Sequence, residues 1–157
     1  MTSTRASEGR LTIVGATLLL CSACGAVDIG EQKDPIVAVQ GPNYRITMQS
    51  TSPNSPDDSG ALRIRVETRN GWKIATEAPA RLHVNGAPDL EFDTDAESID
   101  VSSDHLEFLQ KFRARREGDA LGSGVIKFGV CEGEDEVCAL VDREFEFPLA
   151  IVFEAHG

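Results

Sequence analysis

From residue 44 onwards, apolar and polar side chains alternate in short bursts separated by turn-forming residues. Ile46 and Met48 alternate with Arg45, Thr47 and Gln49, and Leu62, Ile64 and Val66 alternate with Arg63, Arg65 and Glu67. A period of two places one set on each face of an extended strand, so these segments predict strands with one face buried. Between them, Ser52–Gly60 has no apolar residue and predicts a solvated loop joining two strands. Asn70-Gly71 is a dipeptide favoured in tight turns, and Trp72-Lys73-Ile74 follows it. A loop containing Pro79 then leads to a short strand at Leu82 and Val84, closed by a second Asn-Gly pair, Asn85-Gly86. Leu90 with Phe92, and Ile99 with Val101, continue the alternation.

The segment from Asp104 to Arg116 fits two patterns. Leu109 and Phe112 suit one side of a helical turn, whereas Lys111–Arg115 suits a strand reached through a loop; the strand is the preferred reading. Gly122-Ser123-Gly124 reads as a flexible turn leading into a strand at Ile126, Phe128 and Val130. The last segment is the longest: Phe145, Phe147, Leu149, Ile151 and Phe153 alternate with Glu144, Glu146 and Pro148. Proline cannot donate to a β-ladder, so its place on the polar phase predicts an edge strand or a bulge. Seven or more short strands with regularly spaced turn signals predict an all-β fold, an antiparallel immunoglobulin-like β-sandwich.

The N-terminus obeys a different pattern. Arg5 and Arg10 precede a short apolar run, Leu11–Leu20, which is too brief to span a bilayer and reads as an export signal. The sequence after it, Leu20-Cys21-Ser22-Ala23-Cys24-Gly25, resembles the lipobox of bacterial lipoproteins. That resemblance implies cleavage before Cys24 and acylation of its thiol. Cys21 does not suit the role, because bulky Leu20 stands directly before it. The expected organisation is a signal peptide over 1–23, a lipidated N-terminus and tether over 24–41 that joins the fold near Ile36–Val39, and one sandwich domain over 42–157. Two or three acyl chains anchor a domain firmly because each buried methylene contributes about 0.8 kcal/mol. The expected location is the cell envelope, lipid-anchored and facing the periplasm or the exterior.

Charge narrows the partners. The chain carries a formal net charge of −11, and removal of Arg5, Glu8 and Arg10 with the signal makes it slightly more negative. Such a surface repels nucleic acid and anionic headgroups, so no nucleic-acid partner is expected. No cofactor is expected either. Metal binding is not expected, since His83, His105 and His156 are scattered and the carboxylates at 132–136 lack calcium-loop spacing. Asp57, Asp58, Asp93 and Asp95 read as loop charges, His83 as solvent-facing, Trp72 as a packed aromatic, and Arg113, Arg115 and Arg116 as a cluster paired with nearby carboxylates.

The remaining chemistry lies in Cys131 and Cys138, separated by an acidic turn. At the facing ends of two consecutive antiparallel strands their Cα atoms would lie about 4.5–5.5 Å apart, within disulfide range. With Cys21 removed and Cys24 acylated they are the two thiols left, and outside the cytoplasm they should be oxidised. The fold thus acquires a disulfide-linked C-terminal hairpin.

Gly71-Trp72-Lys73-Ile74 with Ala78-Pro79, and Gly124–Cys131 leading through a hairpin to Cys138, resemble the N-terminal periplasmic domain of the thiol:disulfide interchange protein DsbD and its relatives. The resemblance implies an immunoglobulin-like fold, a thioredoxin-fold partner, and a redox role for Cys131 and Cys138 as the exchanging pair. Against that role, Glu132, Glu134, Asp135 and Glu136 surround both sulfurs with negative charge, which disfavours thiolate. The preferred function is therefore a membrane-anchored binding or scaffolding lipoprotein with a structural disulfide and no catalytic residue. Its partners would be the membrane, through the anchor, and another envelope protein. Thiol:disulfide exchange is the alternative.

Overall fold

The computed structural model describes residues 34–94, 96–133 and 137–153. The expected signal, Cys21 and Cys24 therefore lie outside the described residues, as do Asp95, Glu134–Glu136 and His156.

Ten strands build two antiparallel sheets packed face to face as an immunoglobulin-like sandwich. They are β1 (Ile36–Gln40), β2 (Tyr44–Thr51), β3 (Gly60–Thr68), β4 (Trp72–Ile74), β5 (Arg81–Asn85), β6 (Leu90–Phe92), β7 (Glu97–Val101), β8 (His105–Ala114), β9 (Gly118–Glu132) and β10 (Val137–Ile151). One sheet runs β1-β2-β3-β8, with β6 and β7 sharing the far edge of β8. The other runs β10-β9, with β4 and β5 sharing the far edge of β9.

The alternation in the sequence becomes the core. Ile46, Met48, Leu62, Ile64 and Val66 from the first sheet face Ile126, Phe128, Val130, Phe145, Phe147 and Leu149 from the second, and all are buried. Tyr44 meets Phe128 edge to face at 5.3 Å between ring centroids, and its hydroxyl accepts a hydrogen bond from Arg143 Nε at 2.8 Å. The Asn-Gly turn is built as expected: Asn70 has φ 57° and Gly71 φ 80°, and Trp72 N–H donates to Arg69 C=O. Rather than closing a hairpin within one sheet, it carries the chain from the first sheet to the second.

Three segments differ from expectation. The whole of His105–Ala114 is a strand, paired with β3 on one side and β6 and β7 on the other. Gln110 obscured its alternation by occupying a core position, where it is 2% exposed. Its Nε2 donates to the carbonyls of Asp93 and Lys111, which offsets the burial of an amide. Gly122-Ser123-Gly124 is not a turn but the interior of β9. A Cβ on Gly122 would lie 2.4 Å from the Phe147 ring and one on Gly124 2.7 Å from that of Phe145, so the glycines make room for aromatic rings reaching across from β10. Finally, β1 takes up Ile36–Gln40, inside the stretch read as tether and at the point where it was expected to join the fold. Pro148 lies on β10, the end strand of its sheet, in an unbroken register with β9.

Candidate functional site

Among the described residues β9 and β10 are the longest strands, pairing from Ile151 opposite Gly118 to Val137 opposite Glu132. The base of this hairpin is buried and its tip is exposed. At the base, Phe145, Phe147, Leu149 and Ile151 point inward. Towards the tip, Val137, Cys138, Ala139 and Leu140 are all exposed, with Val137 at 64% and Leu140 at 69%. Gly133, with φ 58°, begins the turn.

Cys131 and Cys138 face each other in register near this tip and form a disulfide with Cα atoms 4.0 Å apart. Both occupy the phase opposite to Val130 and Ala139, so the bond lies on the outer face of the sheet. The two sulfurs differ in surroundings. Cys138 is exposed on β10, which among the described residues pairs with β9 alone, whereas Cys131 is half-buried on β9, flanked on its other side by β4.

In that flank Trp72 pairs with Glu132, Lys73 with Cys131 and Ile74 with Val130. Ile74 points into the core, and Trp72 on the same phase is half-buried against it. Lys73, on the alternate phase, shares the outer face with Cys131. Cross-strand neighbours on one face hold their Cβ atoms about 4.5–5.5 Å apart, so Lys73, Cys131 and Cys138 form one row across β4, β9 and β10. After β4 the chain folds over the outer face: Ala75 N–H donates to Gly129 C=O at 2.9 Å. A Cβ on Gly129 would lie 2.8 Å from the Cβ atoms of Ala75 and Ala78. That glycine lets the Pro79-containing loop lie against β9 beside Cys131.

Elsewhere the sequence-predicted residues take ordinary structural places. His83 is exposed, Arg115 and Arg116 pair with Glu91 and Asp89, and Asp57, Asp58 and Asp93 are exposed. Among the described residues no group of histidine, cysteine and carboxylate side chains could hold a metal ion. No helix among them is long and apolar enough to cross a membrane. A hollow of about 40 Å3 between β1, β2 and β10 has room for water rather than a ligand.

One polar cluster was not legible in the sequence. At the β7–β8 turn, His105 Nε2 lies 2.7 Å from Asp100 Oδ2, and its Nδ1 lies 2.7 Å from Ser102 Oγ and 3.1 Å from Asp104 Oδ1. The hydrogen bond to Asp100 holds the imidazole pKa above its ordinary value, against a smaller opposing effect of burial. The Ser102 hydroxyl in turn keeps the Asp104 carboxyl below its ordinary value. Despite its serine, histidine and aspartate, this is a turn cap. Ser102 Oγ lies 2.6 Å from Asp104 Oδ1 and accepts the His105 backbone N–H, so the hydroxyl closes the turn onto the residues that follow it. A serine and two aspartates around one histidine at a strand junction was the available signal.

A second cluster sits on the outer face of the first sheet. Glu107, buried there, accepts from Arg63 and from Arg65 Nη1 at 3.2 Å, and Arg65 Nε also donates to Glu67 at 3.0 Å. It ties β3 to β8 and leaves the carboxylate fully engaged.

The chain matches no family model and no curated protein at a significant level. Among solved structures it is similar to the GAE domain of GGA2p from Saccharomyces cerevisiae, at a TM-score of 0.54 and 11% identity, covering 76% of this chain and all of that one. It is also similar to the N-terminal periplasmic domain of ScsB from Proteus mirabilis, at a TM-score of 0.37 and 15% identity, covering 74% of this chain and half of that one. The second score is too low to establish a common fold. At 11% identity the first likeness is one of architecture alone, and what this chain shares with it is the antiparallel β-sandwich.

Proposed function

We propose that this chain is an envelope lipoprotein, anchored through acylated Cys24, whose sandwich domain takes part in thiol:disulfide exchange through Cys131 and Cys138. The observation that carries the reading is the position of the disulfide: on the outer face of an end strand, with Cys138 open to solvent. A thiolate must approach a disulfide sulfur from outside, and access is one of the conditions that set the rate. Exposed Leu140, on the same face as Cys138, offers apolar surface on which a protein partner would rest.

A purely structural staple is the competing reading, and the acidic residues of the tip favour it. The hairpin, however, is already held by a continuous ladder from Glu132 to Gly118. Closing a loop of this length adds roughly 2–2.5 kcal/mol in the chain-entropy model, at an end of the hairpin that packs little against the core. Lys73, in register with Cys131, also offsets part of the negative field that the sequence suggested. Exchange therefore takes precedence over the scaffolding role, and a thioredoxin-fold protein is the partner class that the sequence resemblance suggests.

The test is reduction of the oxidised full chain by a thioredoxin-fold dithiol protein in native buffer and in denaturant, followed by thiol counting. Exchange predicts that the pair is reduced within minutes while the fold is intact. Reduction that occurs only once the chain is unfolded would leave the staple as the function of the bond.

A further inference from the structure

The row Lys73, Cys131, Cys138 is asymmetric: Cys131 has a lysine in register beside it on β4, and Cys138 is exposed on an end strand. Among the described residues, Lys73 is the charged residue in register with Cys131 on the outer face; the neighbours of Cys131 along β9 on that face are Gly129 and Gly133, Leu140 is diagonal to it on β10, and exposed Glu77 lies in the loop after β4. Glu132 adjoins Cys131 in sequence but lies on the opposite phase, across from Trp72 and Val137. No ion pair with a described residue occupies the Lys73 ammonium, which is exposed. Among the described residues no strand pairs with β10 beyond Cys138.

Resting on the exchange reading, we propose that Lys73 is a positioning residue that gives the disulfide a direction. An incoming partner thiolate attacks Sγ of exposed Cys138, forming a mixed disulfide there. The Cys131–Cys138 S–S bond breaks, and its electron pair leaves on Sγ of Cys131 as a thiolate beside the Lys73 ammonium. A second thiolate of the same dithiol partner then attacks the partner's sulfur in the mixed disulfide and releases Cys138 as thiolate. The partner ends oxidised by two electrons, the domain ends as a dithiol, and two protons from solvent restore the neutral thiols. A lower leaving-group pKa speeds exchange, so placing the cation at Cys131 favours attack at Cys138 on electrostatic grounds as well as by access.

The experiment has two arms on the full chain. In the first, the chemically reduced chain is alkylated across a pH series and each cysteine is read separately by peptide mass analysis. The expected result is a lower midpoint for Cys131 than for Cys138. Lys73→Met should raise the Cys131 midpoint by about half a pH unit, the effect of one nearby charge in a near-aqueous medium, and leave that of Cys138 in place. Lys73→Arg should restore it, and added salt should shrink the difference. In the second arm the oxidised chain is treated with 2-mercaptoethanol, a neutral thiol, and quenched in acid to locate the mixed disulfide. The adduct is expected on Cys138, with the preference reduced in Lys73→Met. An unchanged Cys131 midpoint in Lys73→Met, or an adduct chiefly on Cys131, would overturn the proposal. If the native oxidised chain resists reduction altogether, the exchange reading fails, while the alkylation midpoints still decide whether Lys73 acts on Cys131.

Discussion

The two ends of the β9–β10 hairpin are made of the same ladder but held by different forces. At the base, from Gly118 to Gly124 and from Phe145 to Ile151, side chains of β10 pass into the core and glycines of β9 clear space for their rings. At the tip, from Gly129 to Glu132 and from Val137 to Leu140, β10 contributes almost no buried surface, and a covalent bond joins the strands instead. Burial fixes the base through its inward-facing side chains. The disulfide fixes the tip while leaving a reactive group in the open, which is the difference between a structural end and a candidate working end.

The sharpest way to break this contrast is to attack the base. Phe147, 1% exposed and in ring contact with Phe92 and Phe145, should lose about 3–5 kcal/mol of stability on Phe147→Ala, measured by urea unfolding of the oxidised chain. Replacing both Cys131 and Cys138 by serine should cost less, about 2–2.5 kcal/mol, and leave the near-UV signal of the buried aromatic residues in place. A disulfide loss larger than the Phe147→Ala loss would mean that the tip, and not the core, organises the hairpin.

Smaller still, at about 1–2 kcal/mol, should be Gly129→Ala, because its new Cβ would press on the Cβ atoms of Ala75 and Ala78, which cannot swing aside. This change should also lift the loop after β4 and make Cys131 more accessible, so its alkylation in the reduced chain should quicken. Unchanged alkylation would show that the loop does not cover that sulfur.

The weakest effect lies in the cap at the β7–β8 turn, which adjoins β4 through the hydrogen bond from Ile74 N–H to Ser103 C=O at 2.7 Å. His105 has its pKa raised in the folded chain chiefly by Asp100, so its contribution to stability is complete below the ordinary imidazole value near 6.5 and is lost as pH rises through the folded value. Melting temperature should fall slightly over that window, and Asp100→Asn should flatten the slope. Equal slopes in the two proteins would remove His105 from the account. Asp100→Asn should leave the disulfide intact.

How much of this was legible depended on whether a residue's role was local. Alternation at Ile46–Met48, Leu62–Val66, Ile126–Val130 and Phe145–Ile151 read correctly because each strand shows one face to the core, and the opposition of Cys131 and Cys138 followed from a short hairpin. β8 was obscured where Gln110 took a core position with its own hydrogen bonds. Gly122 and Gly124 looked like turn residues because their reason is aromatic rings about twenty residues away on β10. The Lys73 placement is the clearest case of a non-local fact: β4 is a three-residue strand whose register against β9 no local pattern announces. To the acidic neighbours in sequence, the sheet register adds a lysine opposite Cys131.

The most direct test of the working tip is the reduction potential of the Cys131–Cys138 pair in the folded chain, read by alkylation and mass analysis across a thiol redox series. A labile, exchange-competent bond predicts a value near −200 mV or higher, whereas a value below about −300 mV would mark a structural staple and contradict the exchange account.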